Sequence, residues 1–104
     1  MYYKFFSTIL YDNGKLELIK RYIERPFCYA IHNHNGIEHV HILFGCNHPF
    51  HGKSIKNTFE SLGINKYAID KCTNVYAWIE YAKSNSISDK IVYCNDFKSI
   101  LKIK

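Results

Sequence analysis

An α+β domain built on an antiparallel sheet is the fold class the sequence predicts, from three observations. Short β-rich segments alternate with segments of helical period, an Asn35-Gly36 pair separates two apolar runs, and Pro26 and Gly63 stand where helices should end. Lys4 to Tyr11 is apolar and β-rich and stops at Asp12-Asn13-Gly14, a turn. From Lys15 to Glu24 the apolar residues Leu16, Ile19 and Ile23 recur at spacings of three and four, which predicts a helix halted by Pro26. Two strands follow, about Phe27 to His34 and Ile37 to Gly45, joined at Asn35-Gly36, the strongest short-range hairpin signal. A loop with His48-Pro49-Phe50-His51-Gly52 leads to a second helix, about Ser54 to Leu62, closed by Gly63 as its left-handed cap. Lys66 to Cys72 alternates as a fourth strand, and Thr73 or Asn74 caps a third helix that runs to about Ser84. In the tail, Ile91-Val92-Tyr93 is a candidate short strand and Asp96 to Ile103 a candidate helix. The order βαββαβ is the split-βαβ or ferredoxin-like pattern, an antiparallel sheet with helices on one face, extended by a further helix or short strand at the C-terminal end. It puts the hairpin strands at the sheet centre.

With 104 residues the chain is read as one domain, 1–104, and 47% hydrophobic residues are enough for its core. Its apolar runs are too short to span a bilayer, and Met1-Tyr2-Tyr3-Lys4-Phe5-Phe6 lacks the apolar region and cleavage site of a signal peptide. A cytoplasmic location is therefore expected, with no membrane partner. Cys28, Cys46, Cys72 and Cys94 form no C-x-x-C pair, so zinc-finger spacing is absent and they read as small buried apolar residues. A net charge of +5 permits an anionic partner. Lysines interleaved with tyrosines through the second half suit a single-stranded nucleic acid, whose phosphates seek cations and whose bases seek aromatic faces. Solvated lysines over tyrosine-rich core edges account for the composition equally well.

The hairpin carries the chemistry. Side chains alternate faces along a strand, so His39 and His41 point the same way. A two-residue type I′ turn at Asn35-Gly36 sets His34 opposite Ile37, His32 opposite His39 and Ala30 opposite His41. Three imidazoles, His32, His39 and His41, then converge on one face, where neutral lone pairs can hold a divalent ion. His34 lies diagonal to His39 and is a reserve ligand.

In the third helix Val75, Trp78, Ile79 and Ala82 form a core stripe at i, i+3, i+4 and i+7. Tyr76 and Tyr81 flank it on opposite sides, each roughly 100° from its centre. Periodicity does not choose between them.

Five segments resemble a known family, the small rolling-circle replication initiators of bacterial plasmids in the HUH endonuclease superfamily. Phe5-Phe6-Ser7-Thr8-Ile9-Leu10-Tyr11 is similar to the family's first strand, and Pro26-Phe27 ahead of His32-Asn33-His34-Asn35 resembles its Pro-Phe strand leading to a His-Asp-x-Asp ligand motif. His39-Val40-His41 matches the superfamily's histidine pair, Tyr81-Ala82-Lys83 stands where the family has its catalytic tyrosine, and Asp89-Lys90-Ile91-Val92-Tyr93 reproduces its Asp-Lys-x-x-Tyr. The resemblance covers nearly the whole chain. It implies Tyr81 as nucleophile, His32, His39 and His41 as ligands of Mn²⁺ or Mg²⁺, and single-stranded DNA at a replication origin as substrate. The reaction implied is nicking and joining through a covalent 5′-phosphotyrosine, in the cytoplasm of a host cell, with host replication proteins as further partners. Asn35 stands where the family has an aspartate ligand and is a weaker, neutral candidate. Lys83 and Lys90 are candidate DNA contacts. The oligomerising segment of full-length family members has no counterpart in the sequence, which fits either a minimal initiator or an excised catalytic domain.

Two other readings fit part of this pattern. A single-tyrosine HUH transposase shares the histidine pair and tyrosine helix, but the Pro-Phe strand, third histidine and Asp-Lys-x-x-Tyr segment favour the initiator. A non-catalytic nucleic-acid-binding module needs only stacking aromatics and leaves the histidines unexplained.

Overall fold

The computed structural model describes residues 2–87 and 90–101, with all their side chains except those of Asn13 and His34. Five antiparallel strands form one sheet: β1 (Tyr2–Leu10), β2 (Phe27–His34), β3 (Ile37–His51), β4 (Tyr67–Lys71) and β5 (Val92–Cys94), in the order β4-β1-β3-β2-β5. Four helices connect or follow them: α1 (Leu16–Tyr22), α2 (Lys53–Ser61), α3 (Val75–Ser84) and α4 (Phe97–Ile100). β3 is the middle strand, and β5 pairs with β2 so that the whole hairpin is interior.

Period-two alternation divides the sheet into two buried faces. On one, Phe6 and Leu10 of β1, Phe27 and Tyr29 of β2, and Val40, Ile42 and Phe44 of β3 pack against Leu16 and Ile19 of α1 and Ile55 and Phe59 of α2. On the other, Cys28 and Leu43 pack with Phe97 of α4, and Val75 and Trp78 bring α3 onto the same layer. The two crossover helices thus share one face, as expected, while α3 and α4 cover the opposite one. That placement matters because it sets a helix over the face that carries His32, His39 and His41.

The hairpin register is the expected one, with His34 opposite Ile37, His32 opposite His39 and Ala30 opposite His41. Asn35 (φ 55) and Gly36 (φ 82) are both left-handed, as a type I′ turn requires. The Asn33 side chain accepts the Gly36 N–H at 3.0 Å and braces the turn. Gly45 has a different role: a Cβ there would come within 2.6 Å of the Ile100 side chain, so glycine lets α4 close over the sheet.

Most boundaries shift by one or two residues from the sequence expectation, and three differences have a physical cause. Residues 48–51, expected as loop, continue β3 to His51 beyond an irregularity in the β1 pairing, which resumes at Tyr3 opposite Phe50. Aromatic contacts hold this extension, with Phe50 against Phe6 and the Arg25 guanidinium 4.0 Å from the Phe50 ring centroid. α1 stops at Tyr22 because Ile23 turns to extended geometry before Pro26. The expected helix of 96–103 is α4, four residues long, and residues 102–104 lie outside the described ones. Of the cysteines only Cys28 is fully buried; the other three are half-buried, and all four are free.

Thr8 is fully buried on β1, and its hydroxyl has no hydrogen-bond partner among the described residues. An unsatisfied buried hydroxyl carries its desolvation cost with no return. Thr8→Val, which keeps the β-branched shape, is expected to stabilise the fold by about 1 kcal/mol and raise Tm by about 4–8 °C, read by thermal denaturation.

Candidate metal centre

His32 on β2 and His39 and His41 on β3 form a compact cluster. Their ligand atoms lie within 4.8 Å of one another. The ring centroids are 4.0 Å apart for His32 and His41, 4.9 Å for His39 and His41, and 5.6 Å for His32 and His39. His32 is 4% exposed and His41 8%, whereas His39 is half-buried nearer the hairpin tip. Burial penalises the imidazolium, and neighbouring histidines add repulsion. The His41 pKa falls to about 4 and that of His32 is lowered for the same first reason. Both rings are therefore neutral near pH 7, the form whose lone pair binds a metal.

His32 Nε2 lies 3.1 Å from the Ala82 carbonyl oxygen of α3. A carbonyl only accepts, so Nε2–H donates and the neutral ring keeps its lone pair on Nδ1. This is the outer-shell arrangement that orients metal-binding histidines. It also uses a carbonyl in the last turn of α3, where intrahelical donors run out.

The end of α3 is stitched to β2 at the same place. Ser86 bridges to His32, the Ile87 N–H donates to the Ile31 carbonyl at 2.9 Å, and the Trp78 indole N–H donates to Ser7 Oγ on β1 at 2.9 Å. At the other end the Asn74 side chain accepts the Ala77 N–H at 3.0 Å, so Asn74 is the cap.

These ties decide between the two flanking tyrosines. Tyr81 stands edge-on to the cluster, its ring centroid 5.9 Å from His32 and 6.1 Å from His41. Tyr76 lies on the other flank, where its hydroxyl donates to the Leu101 carbonyl at 2.9 Å. Tyr81 remains 57% exposed, so an incoming molecule can reach it.

A cleft of about 320 Å³ joins these groups, lined by Ile9, Tyr11, His32, Asn33, His39, His41, Tyr81 and Asn85. Among the described residues its lining includes no carboxylate. Three imidazoles with open coordination positions fit a transition ion such as Mn²⁺ better than Mg²⁺, which takes oxygen ligands.

No family model matches the chain, and no curated protein matches it. The reading of the site therefore rests on its own geometry.

The remaining candidates lie elsewhere. Asn35 occupies the turn and does not line the cleft; the His34 side chain is outside the described ones, as is Asp89. Lys83 and Lys90 line a separate shallow groove with Ile91 and Tyr93. His51 is used structurally, its Nδ1 accepting the Lys53 N–H at the start of α2 at 3.0 Å. Tyr11 and Asn85 join the cleft without having been singled out from sequence. Tyr11 follows β1, and its place in the cleft depends on the β1–β3 pairing, which is not local.

The lowered histidine pKa values make stability depend on pH. An unfolded histidine protonates near its ordinary value of 6.5, whereas folded His41 does so only near 4. Between these values the unfolded chain binds more protons, so stability rises with pH and is lost as pH falls through the window. In chelator, the contribution lost by pH 4 is expected to approach about 3 kcal/mol, measured by urea denaturation across the range. His41→Gln should flatten that dependence.

Proposed function

We propose that the chain is a rolling-circle replication initiator of the HUH type, a metal-dependent endonuclease and strand transferase acting on single-stranded DNA at an origin. The observation that carries this reading is the meeting of His32, His39 and His41 with the exposed phenol of Tyr81 in one cleft. A structural histidine cluster has no need of an accessible nucleophile beside it. The strand order β4-β1-β3-β2, with α1 and α2 on one face, supports reading the β1-to-β4 core as ferredoxin-like with β5 added at its edge.

His32, His39 and His41 would hold the ion, through Nδ1 in the case of His32. Bound there, a divalent cation would supply charge neutralisation to the scissile phosphate. Tyr81 Oη attacks phosphorus, forming the Oη–P bond as the P–O3′ bond breaks. The departing electron pair stays on O3′, which takes a proton from solvent, while the phenol proton is lost to solvent. The 5′-phosphate is then esterified to Tyr81. Because a phenolate is a better leaving group than an alkoxide, attack by a 3′-hydroxyl reverses the step and rejoins a strand. Lys83 and Lys90 contact the DNA outside the cleft.

Incubation with a random-sequence single-stranded DNA pool and Mn²⁺, followed by a denaturing gel, should reveal a protein–DNA band that resists boiling in detergent. Sequencing the attached strands would identify the site cut. Binding without any covalent product would reject the transferase and leave a stacking module.

A further inference from the structure

The cleft holds a second tyrosine. Ile9 pairs with His41 across β1 and β3, and Leu10, the last residue of β1, pairs with Val40. Tyr11 follows immediately after the strand. Its backbone N–H donates to the Lys66 carbonyl at 3.1 Å, which holds the end of β1 against the segment entering β4. Its side chain lines the cleft together with Ile9, His39 and His41. The two tyrosines thus approach the cleft from different parts of the fold, Tyr81 from the helix above the sheet and Tyr11 from the residue that follows β1.

Their surroundings differ. The Tyr81 ring lies within about 6 Å of two imidazoles. Among the described residues the Tyr11 ring makes no comparable ring contact with any of the three, and it is 53% exposed. A rigid aromatic ring with an open face beside a phosphate-binding centre has the chemistry of a stacking platform. Every nucleobase has a π-face to place on it.

We propose that Tyr11 is a positioning residue that stacks on one nucleobase adjoining the phosphate held at the histidine cluster, and so fixes which phosphate Tyr81 meets. This deepens the nuclease reading and rests on it. The role requires the ring and not the hydroxyl. Stacking would hold the flanking nucleotide on the β1 side of the cleft, which leaves the α3 side to Tyr81.

The test uses the full chain and an oligonucleotide recovered by covalent capture from the random pool, in Mn²⁺. Tyr11→Phe should bind and form adduct within about two-fold of wild type. Tyr11→Ala and Tyr11→Leu should bind about 5- to 150-fold more weakly. Replacing bases one at a time by abasic sites should reveal one position where wild type loses affinity and Tyr11→Ala loses no more. A structural role would not produce that coupling, and unchanged Tm in both variants would exclude misfolding. Undiminished binding by Tyr11→Ala and Tyr11→Leu, or equal abasic penalties in wild type and Tyr11→Ala at every position, overturns the proposal. Loss of adduct in Tyr11→Phe with its retention in Tyr81→Phe overturns it as well, by making Tyr11 the nucleophile. If wild type itself forms no adduct with any sequence, the nuclease reading fails first.

Discussion

Tyr81→Phe is expected to eliminate covalent attachment to single-stranded DNA while leaving the fold and DNA binding nearly intact. The substitution removes one oxygen from a side chain that is 57% exposed and makes no hydrogen bond through its hydroxyl among the described residues. Its ring contacts with His32 and His41 are preserved in phenylalanine. Stability and affinity should therefore change by no more than about 0.5 kcal/mol, or about two-fold in binding. The chemistry should vanish, because no oxygen remains to form the ester to phosphorus. A denaturing gel for adduct and a filter assay for binding separate the two effects. Adduct retained in Tyr81→Phe would transfer the nucleophile to another residue, with Tyr11 the first to examine and Tyr76, bound to the Leu101 carbonyl, the second.

Replacing His39 and His41 together by alanine is expected to abolish both metal binding and cleavage. One imidazole is left, His32, held to Ala82 and unable to chelate alone. Mn²⁺ affinity should fall by more than the roughly 100-fold that can accompany loss of an outer-shell partner, since ligands themselves are removed. Titration calorimetry with Mn²⁺ reads this directly. His41 is 8% exposed, so its truncation also leaves a small void, and about 1–3 kcal/mol of stability should be lost in chelator. His39 is less buried, so His39→Ala alone should cost little stability and still weaken the metal, which separates the two effects. Cleavage that persists in chelator after both substitutions would end the metal role.

Much of the candidate site was legible because it is local. Asn35-Gly36 sets the turn, the turn sets the register, and alternation then carries His32, His39 and His41 to one face. No distant contact enters that chain of reasoning. The two crossover helices were legible for a similar reason, their apolar spacing and the terminating Pro26 and Gly63 being properties of short segments. The extension of β3 to His51 was not, because Pro49 and Gly52 read as loop, while the aromatic contacts of Phe50 and Tyr2 that hold the strand come from β1. Tyr11 was read only as the end of the first strand for the same reason, since its place in the cleft exists only once β1 lies against β3.

By itself the sequence determined the histidine cluster, since a two-residue turn and a period of two leave one arrangement of neighbouring strands. Helical periodicity left Tyr76 and Tyr81 as equivalent flanks of one stripe, and no local rule separates them. Only the tertiary structure decided that geometry, by packing α3 on the histidine face and tying its last turn to β2 through His32, Ser86 and Ile87, which turns the Tyr81 flank toward the imidazoles and the Tyr76 flank away. The choice belongs to the docking of a helix on a sheet, which depends on contacts between residues dozens of positions apart.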